Sequence, residues 1–162
     1  MSGQEIYDWS DNCFDYYSET AVKHFMNPVN SGRLDNANGR GCTTSSSIED
    51  FLEISICVDE ERDVVADARF RAVGSPAAMA CCSVLTQLVQ GKTLSDLDRI
   101  ESHHVTDALG GLPARKTYCA DLCLVALGAA VEDYRQRRRM QAPNASDKAR
   151  FSKNPADRFA GV

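Results

Sequence analysis

Apolar and polar residues alternate with two different periods along this chain, and the switch between them outlines the fold. From Ser18 the run SETAVKHFM places Val22, Phe25 and Met26 at helical spacing behind a serine cap, and Asn27-Pro28 ends it. The following stretch, Asn27 to Gly41, is rich in Asn, Gly and Pro and predicts an irregular loop. Phe51 to Val58 then alternates: Leu52, Ile54, Ile56 and Val58 share one face, with Glu53, Ser55 and Cys57 on the other, as in a half-buried strand. A charged turn over Asp59 to Asp63 leads to a second alternating run, Val64 to Val73, so the two runs predict an antiparallel hairpin.

The period changes at Ser75-Pro76. Serine is a favoured N-cap and proline fits the first helical position, so a helix is expected from Ser75 to Gln90, with Met79, Cys82, Leu85 and Val89 on one stripe and Gly91 as its stop. Ser95-Asp96-Leu97-Asp98 reads as the capped start of a short helix, and Gly110 to Pro113 breaks the chain. A long helix is expected from about Cys119 to Arg139, apolar nearly all round through Ala130 and polar beyond it. Strands followed by helices indicate an α+β domain with helices packed on one face of a small antiparallel sheet. The division predicted is an N-terminal arm over 1–16, a domain over 17–139 and a polar flexible tail over 140–162, with no internal repeat.

Composition narrows the function classes. The 162 residues carry a net charge of -5, which argues against general nucleic-acid binding. No apolar run is long enough to span a bilayer, and MSGQEIYDWSDN has neither the basic nor the apolar region of a signal peptide, so a cytoplasmic location is expected. Seven cysteines, an odd number, point to reduced thiols, some of them metal-binding, rather than to a disulfide framework. None of them forms a CxxC, which removes the usual zinc-ribbon and dithiol signatures.

Several blocks occur together: YSETAVKHFMNPVNSG from Tyr17, DARFRAVG ending at Gly74, VQGKTL from Val89 and LGGLPARKTYC from Leu109. In order and spacing they resemble the U-type iron-sulfur cluster assembly scaffolds, the NifU N-terminal domain and IscU family, over roughly Tyr17 to Tyr134. The resemblance implies a three-stranded antiparallel sheet with a long C-terminal helix, in which Gly39 to Ile48 supplies an edge strand that alternation does not reveal. It also implies an assembly site of three cysteines and one aspartate. Thiolates bind iron and accept sulfur, while a carboxylate is an exchangeable ligand for a cluster that must leave.

Carried over position by position, the aspartate is Asp50 and the third cysteine is Cys119. The first cysteine falls on Ile48, the second on Ser75, and a histidine beside the third on Tyr118. Cys119 begins a helix near Lys116, which predicts a lowered thiol pKa and makes it the leading candidate. Cys42, Cys82 and Cys123 are candidates to compensate for the missing thiols. The plainer reading is core packing for Cys81, Cys82 and Cys123, and an incidental loop thiol for Cys42. Cys13, Cys57, His24 and the pair His103-His104 are read as structural or solvated, and Arg137 to Arg139 as a solvated helix end.

The resemblance implies a scaffold rather than an enzyme, carrying a transient iron-sulfur cluster or iron. Its implied partners are a cysteine desulfurase and an Hsp70-type chaperone reading the segment with Leu112, Pro113 and Lys116. Two other classes stay open. One is an interaction or regulatory protein that no longer builds a cluster. The other is a zinc or thiol-binding protein using Cys119 with Cys123, Cys42 or a cysteine from a second copy in a dimer.

Overall fold

In the computed structural model, which describes residues 16–45 and 50–142, local signals set the element ends. Ser18 caps α1 (Glu19–Met26) by accepting from Ala21 N–H at 3.0 Å. Three strands follow, β1 (Gly39–Thr44), β2 (Phe51–Asp59) and β3 (Val64–Val73), and then α2 (Pro76–Val89). Short helices α3 (Leu94–Leu97) and α4 (Ser102–Ala108) and a 3₁₀ turn at Ala114–Lys116 lead into α5 (Tyr118–Gln141). The cap of α3 is Thr93 rather than Ser95, two residues earlier than the sequence suggests. Among the described residues no helix is long and apolar enough to cross a membrane.

The sheet is antiparallel in the order β1-β2-β3. Alternation puts Leu52, Ile54, Ile56 and Val58 of β2 on the face that carries the helices, beside Ala68 and Phe70 of β3. Helix α5 lies against β1 and β2, while α2 lies against β3, with α1, α4 and α5 packed around it. Ten of the fourteen residues of α2 are buried, so it is a central helix covered on nearly every side rather than a one-striped surface helix.

Strand β1 reads as loop because it is GRGCTT, yet those glycines are what lets it pair. A Cβ on Gly41 would stand 2.2 Å from Ala130 N and 2.3 Å from Ala126 O, so the backbone of α5 rests directly on β1. The loop after α1 is likewise ordered by specific bonds. Phe70 N–H donates to Asn30 O at 3.0 Å and Gly32 N–H to Phe70 O at 2.9 Å, which ties the loop to the free edge of β3. Arg40 then donates to Leu34 O at 2.7 Å, and Leu34 itself is buried.

Candidate functional site

Three chain segments converge where β2 begins, β3 ends in the cap of α2, and α5 starts. Asp50 immediately precedes β2 and is 2% exposed. Its Oδ1 accepts from Ser75 N–H at 3.0 Å. Ser75 caps α2, accepting from Ala78 N–H at 3.4 Å, and its hydroxyl stands 3.7 Å from Cys119 Sγ. Asp50, Ser75 and Cys119 thus form one contact chain through residues far apart in sequence.

Gly74 makes this meeting possible. It has φ +149°, and a Cβ there would lie 1.8 Å from Asp50 Oδ1, so only glycine leaves room for the carboxylate. Tyr118, at the first position of α5, completes the group by facing Cys119, Asp50 and Ser75. Sequence reasoning placed Tyr118 at the family's histidine position and Gly74 at the end of a matching block, but gave neither a role in the site. The signal available for Gly74 was a glycine directly before the serine-proline helix start, and for Tyr118 its place beside the candidate cysteine.

Electrostatics at the site run against the expectation for Cys119. The thiol is fully buried, and burial pushes its pKa up, although hydrogen bonding from Ser75 and Tyr118 pulls the other way. Loss of hydration therefore outweighs the helix start, and the resting form is a neutral thiol rather than a thiolate. Burial also pushes the Tyr118 phenol up to about 12, helped by the neighbouring Cys119 and Asp50.

The compensating thiols divide by position. Cys82 and Cys123 are fully buried beneath the site, and together with Cys81 and Cys119 they form a nest of interacting sulfurs between α2 and α5. Cys123 Sγ donates to Ala120 O at 3.1 Å, inside its own helix. Cys42 is a strand residue rather than a loop thiol. It lies within β1, paired with Glu53 on the sheet face away from α5, so the sheet separates it from Cys119. Ile48 and Cys13 lie outside the described residues.

Leu112 and Pro113 precede the 3₁₀ turn and Lys116 ends it, all half-buried on the approach to Cys119. His24 accounts for itself locally, its Nδ1 2.7 Å from Ser83 Oγ. His103 and His104 both meet Glu101: His104 Nδ1 accepts from the Glu101 backbone N–H at 2.9 Å, and His103 Nδ1 is 3.2 Å from Glu101 Oε2. Both belong to the cap of α4. Arg137 pairs with Asp133, Arg138 with Asp63 and Arg139 with Glu132 on the surface.

Among the described residues no three His, Cys, Asp or Glu side chains are placed to hold one metal ion. The convergent donors at Asp50 are three oxygen-bearing side chains, Asp50, Ser75 and Tyr118, and one sulfur, Cys119. A carboxylate beside a single thiol can hold a cation and take up sulfur, but it lacks the thiolates that hold a cluster tightly.

The family described as NifU-like N terminal domain matches residues 16–141. The iron-sulfur cluster assembly scaffold protein IscU of Aquifex aeolicus is 37% identical over 118 residues, covering 73% of this chain and 75% of that protein. The nitrogen fixation protein NifU of Azotobacter chroococcum is 40% identical over 119 residues, covering 74% of this chain but 38% of that longer protein. The crystal structure of a NifU-like N-terminal protein from Brucella abortus superposes with a TM-score of 0.61, covering 76% of this chain and 97% of that one. At 14% identity that likeness concerns the fold.

Proposed function

This chain belongs to the NifU-like N-terminal domain family, and from that membership we propose that it is an iron-sulfur cluster assembly scaffold, handling iron and sulfur at Asp50 and Cys119. The observation that carries the reading is the convergence of Asp50, Ser75 and Cys119 from three separate elements onto one buried spot. Gly74 leaves room for the Asp50 carboxylate at this meeting point, where it also accepts from the cap of α2.

Sulfur reaches such a scaffold from a cysteine desulfurase, whose persulfide would be the donor. The Cys119 thiol gives up its proton as its sulfur attacks the outer sulfur of that persulfide; the donor S–S bond breaks, the desulfurase cysteine leaves as a thiolate that takes up that proton, and Cys119 becomes the persulfide. Asp50 supplies an exchangeable oxygen ligand for iron. Cleaving sulfur from cysteine belongs to the desulfurase, so this chain acts as acceptor and holder rather than as an enzyme. Leu112, Pro113 and Lys116, on the approach to Cys119, form the proposed docking segment for partners, with an Hsp70-type chaperone as a second visitor. The proposed location is the cytoplasm.

Anaerobic reconstitution with a cysteine desulfurase, ferrous iron and cysteine tests the reading, with iron and sulfide counted per chain. Wild type is expected to gain both, and Cys119→Ser to gain neither above background. The proposal is falsified if wild type gains no more than the variant. Stable desulfurase binding without iron or sulfide would instead identify the interaction protein that no longer builds a cluster.

A further inference from the structure

Most of the arginines among the described residues sit in ion pairs with Asp or Glu. Among those residues four Lys and Arg side chains make neither an ion pair nor a side-chain hydrogen bond: Lys92, Arg99, Arg115 and Lys116. Arg115 and Lys116 lie in the 3₁₀ turn before Cys119, within the docking segment already proposed. Lys92 and Arg99 stand elsewhere, on the rim of a cavity of about 390 Å³ between the end of α2 and the α3-α4 turn. Leu88 and Ile100, both half-buried, give this cavity an apolar wall, with His104 beside them. Asp96 also lines it, its carboxylate accepting from Thr93 Oγ1 at 2.9 Å. Two cations against one carboxylate leave the rim positive, on a chain whose net charge is -5. An apolar wall under unpaired cations fits an occupant that carries an aromatic side chain between carboxylates.

The chain itself contains such a segment. Residues 1–15, outside the described part, carry Glu5, Asp8, Asp11 and Asp15 with no Lys, Arg or His, and the protein's single tryptophan stands among them in Asp8-Trp9-Ser10-Asp11. Their attachment point is near the cavity. The Ser18 hydroxyl donates to Leu109 O at the end of α4, and Leu109 is five residues, about 8 Å of helix, from His104 on the cavity wall. The seven residues from Trp9 to Tyr16 span up to about 25 Å when extended, which covers that distance. Exposed charge pairs are individually weak, but a tethered segment meets its site at an effective concentration on the order of millimolar, so weak contacts suffice.

We propose that the segment around Trp9 docks on its own domain at this cavity, the indole against Leu88 and Ile100, with Asp8 and Asp11 on Lys92 and Arg99. The surface it covers is separate from the Asp50 and Cys119 site. Ser75 caps the start of α2, whereas the cavity lies at its far end, about 20 Å along the helix.

Trp9 is its own reporter. In the full chain at low salt its emission is expected at shorter wavelength than that of a synthetic peptide of residues 1–15, with slower acrylamide quenching, and both differences should shrink as salt screens the exposed pairs. Lys92→Glu with Arg99→Glu should bring Trp9 to the free-peptide spectrum. Asp8→Lys with Asp11→Lys, which leaves the domain untouched, should do the same. Combining the four substitutions reverses both sides of each pair and should restore the shift, a recovery that a folding defect does not produce. Arg115→Glu with Lys116→Glu should leave the emission unchanged. The inference is overturned by a wild type whose Trp9 matches the free peptide, or by a shift that survives reversal of Lys92 and Arg99. It is overturned equally by a shift lost on reversal of Arg115 and Lys116 instead, which would put the segment on the docking turn. A shift that fades on dilution also overturns it, because the occupant is then the segment of a second copy.

Discussion

At Gly74 the site depends on an absence. The backbone there has φ +149°, a conformation that side chains rarely adopt, and the space a methyl would fill is occupied by the Asp50 carboxylate. Gly74→Ala therefore forces either the strand end or the carboxylate to move, and the carboxylate is the softer of the two. The variant is expected to lose about 1–3 kcal/mol of stability, read as a lower urea midpoint, and most of the iron taken up in reconstitution. Unchanged iron uptake would show that the position of Asp50 does not matter to the site. The same scale explains why residue identity misled at Cys119. A cysteine at a helix start beside a lysine argues for a thiolate, but full burial raises the pKa instead, and sequence carries the neighbours without their depth. Asp50, Ser75 and Cys119 were legible only through the family resemblance. That Tyr118 would join the same cluster as Asp50 and Ser75 was not legible at all, because it depends on how three elements meet.

Between elements, the tightest joint is the one with the least side chain. Gly41 of β1 lies against the backbone of α5 at Ala126 and Ala130, where a Cβ would stand 2.2–2.3 Å from main-chain atoms that cannot rotate away. Gly41→Ala is expected to cost about 3 kcal/mol and to lower the thermal midpoint by about 10 °C. Gly128, on the exposed side of the same helix, has nothing within 4 Å of its added methyl, so Gly128→Ala should raise stability by about 0.5–1 kcal/mol. Thermal melts of the pair check both signs, and equal effects would mean that β1 and α5 are not in such close contact. This joint also marks the limit of pattern reading. The β2-β3 hairpin and the helices α2 and α5 announce themselves through alternation and capping, because their side chains do the packing. Strand β1 has glycines where the others have Leu and Ile, so its hydrophobic signal is missing for the very reason that it packs closely. Helix α4 escaped notice for a different reason. Its seven residues bury one side chain, Val105, and its cap is a Glu101-His104 exchange that looked like a surface histidine pair.

Across the whole molecule the cysteines make the fold sensitive to base. Cys82 and Cys123 sit fully buried between α2 and α5, and burial, reinforced by the neighbouring thiols, pushes both pKa values well above the usual thiol range. In the unfolded chain the same thiols ionise near about 8.5. Below that value both states keep their protons and the stability from these groups is fully present. Above it the unfolded chain sheds protons that the folded one retains, so the unfolding free energy falls by up to about 1.4 kcal/mol per pH unit for each thiol. Cys119 has the same sign, as do Tyr118 and Tyr134, but unfolded tyrosine ionises near about 10, which places their share at higher pH. Under reducing conditions the urea midpoint is therefore expected to hold steady up to about pH 8 and to drop steeply between about pH 8.5 and 10. Cys82→Ala starts from a lower midpoint, because a buried sulfur is lost, yet it should descend less steeply over that range since one of the ionising groups is gone. A flat wild-type profile, or an identical slope in the variant, would show that these sulfurs stay protonated in both states and that base sensitivity has another source.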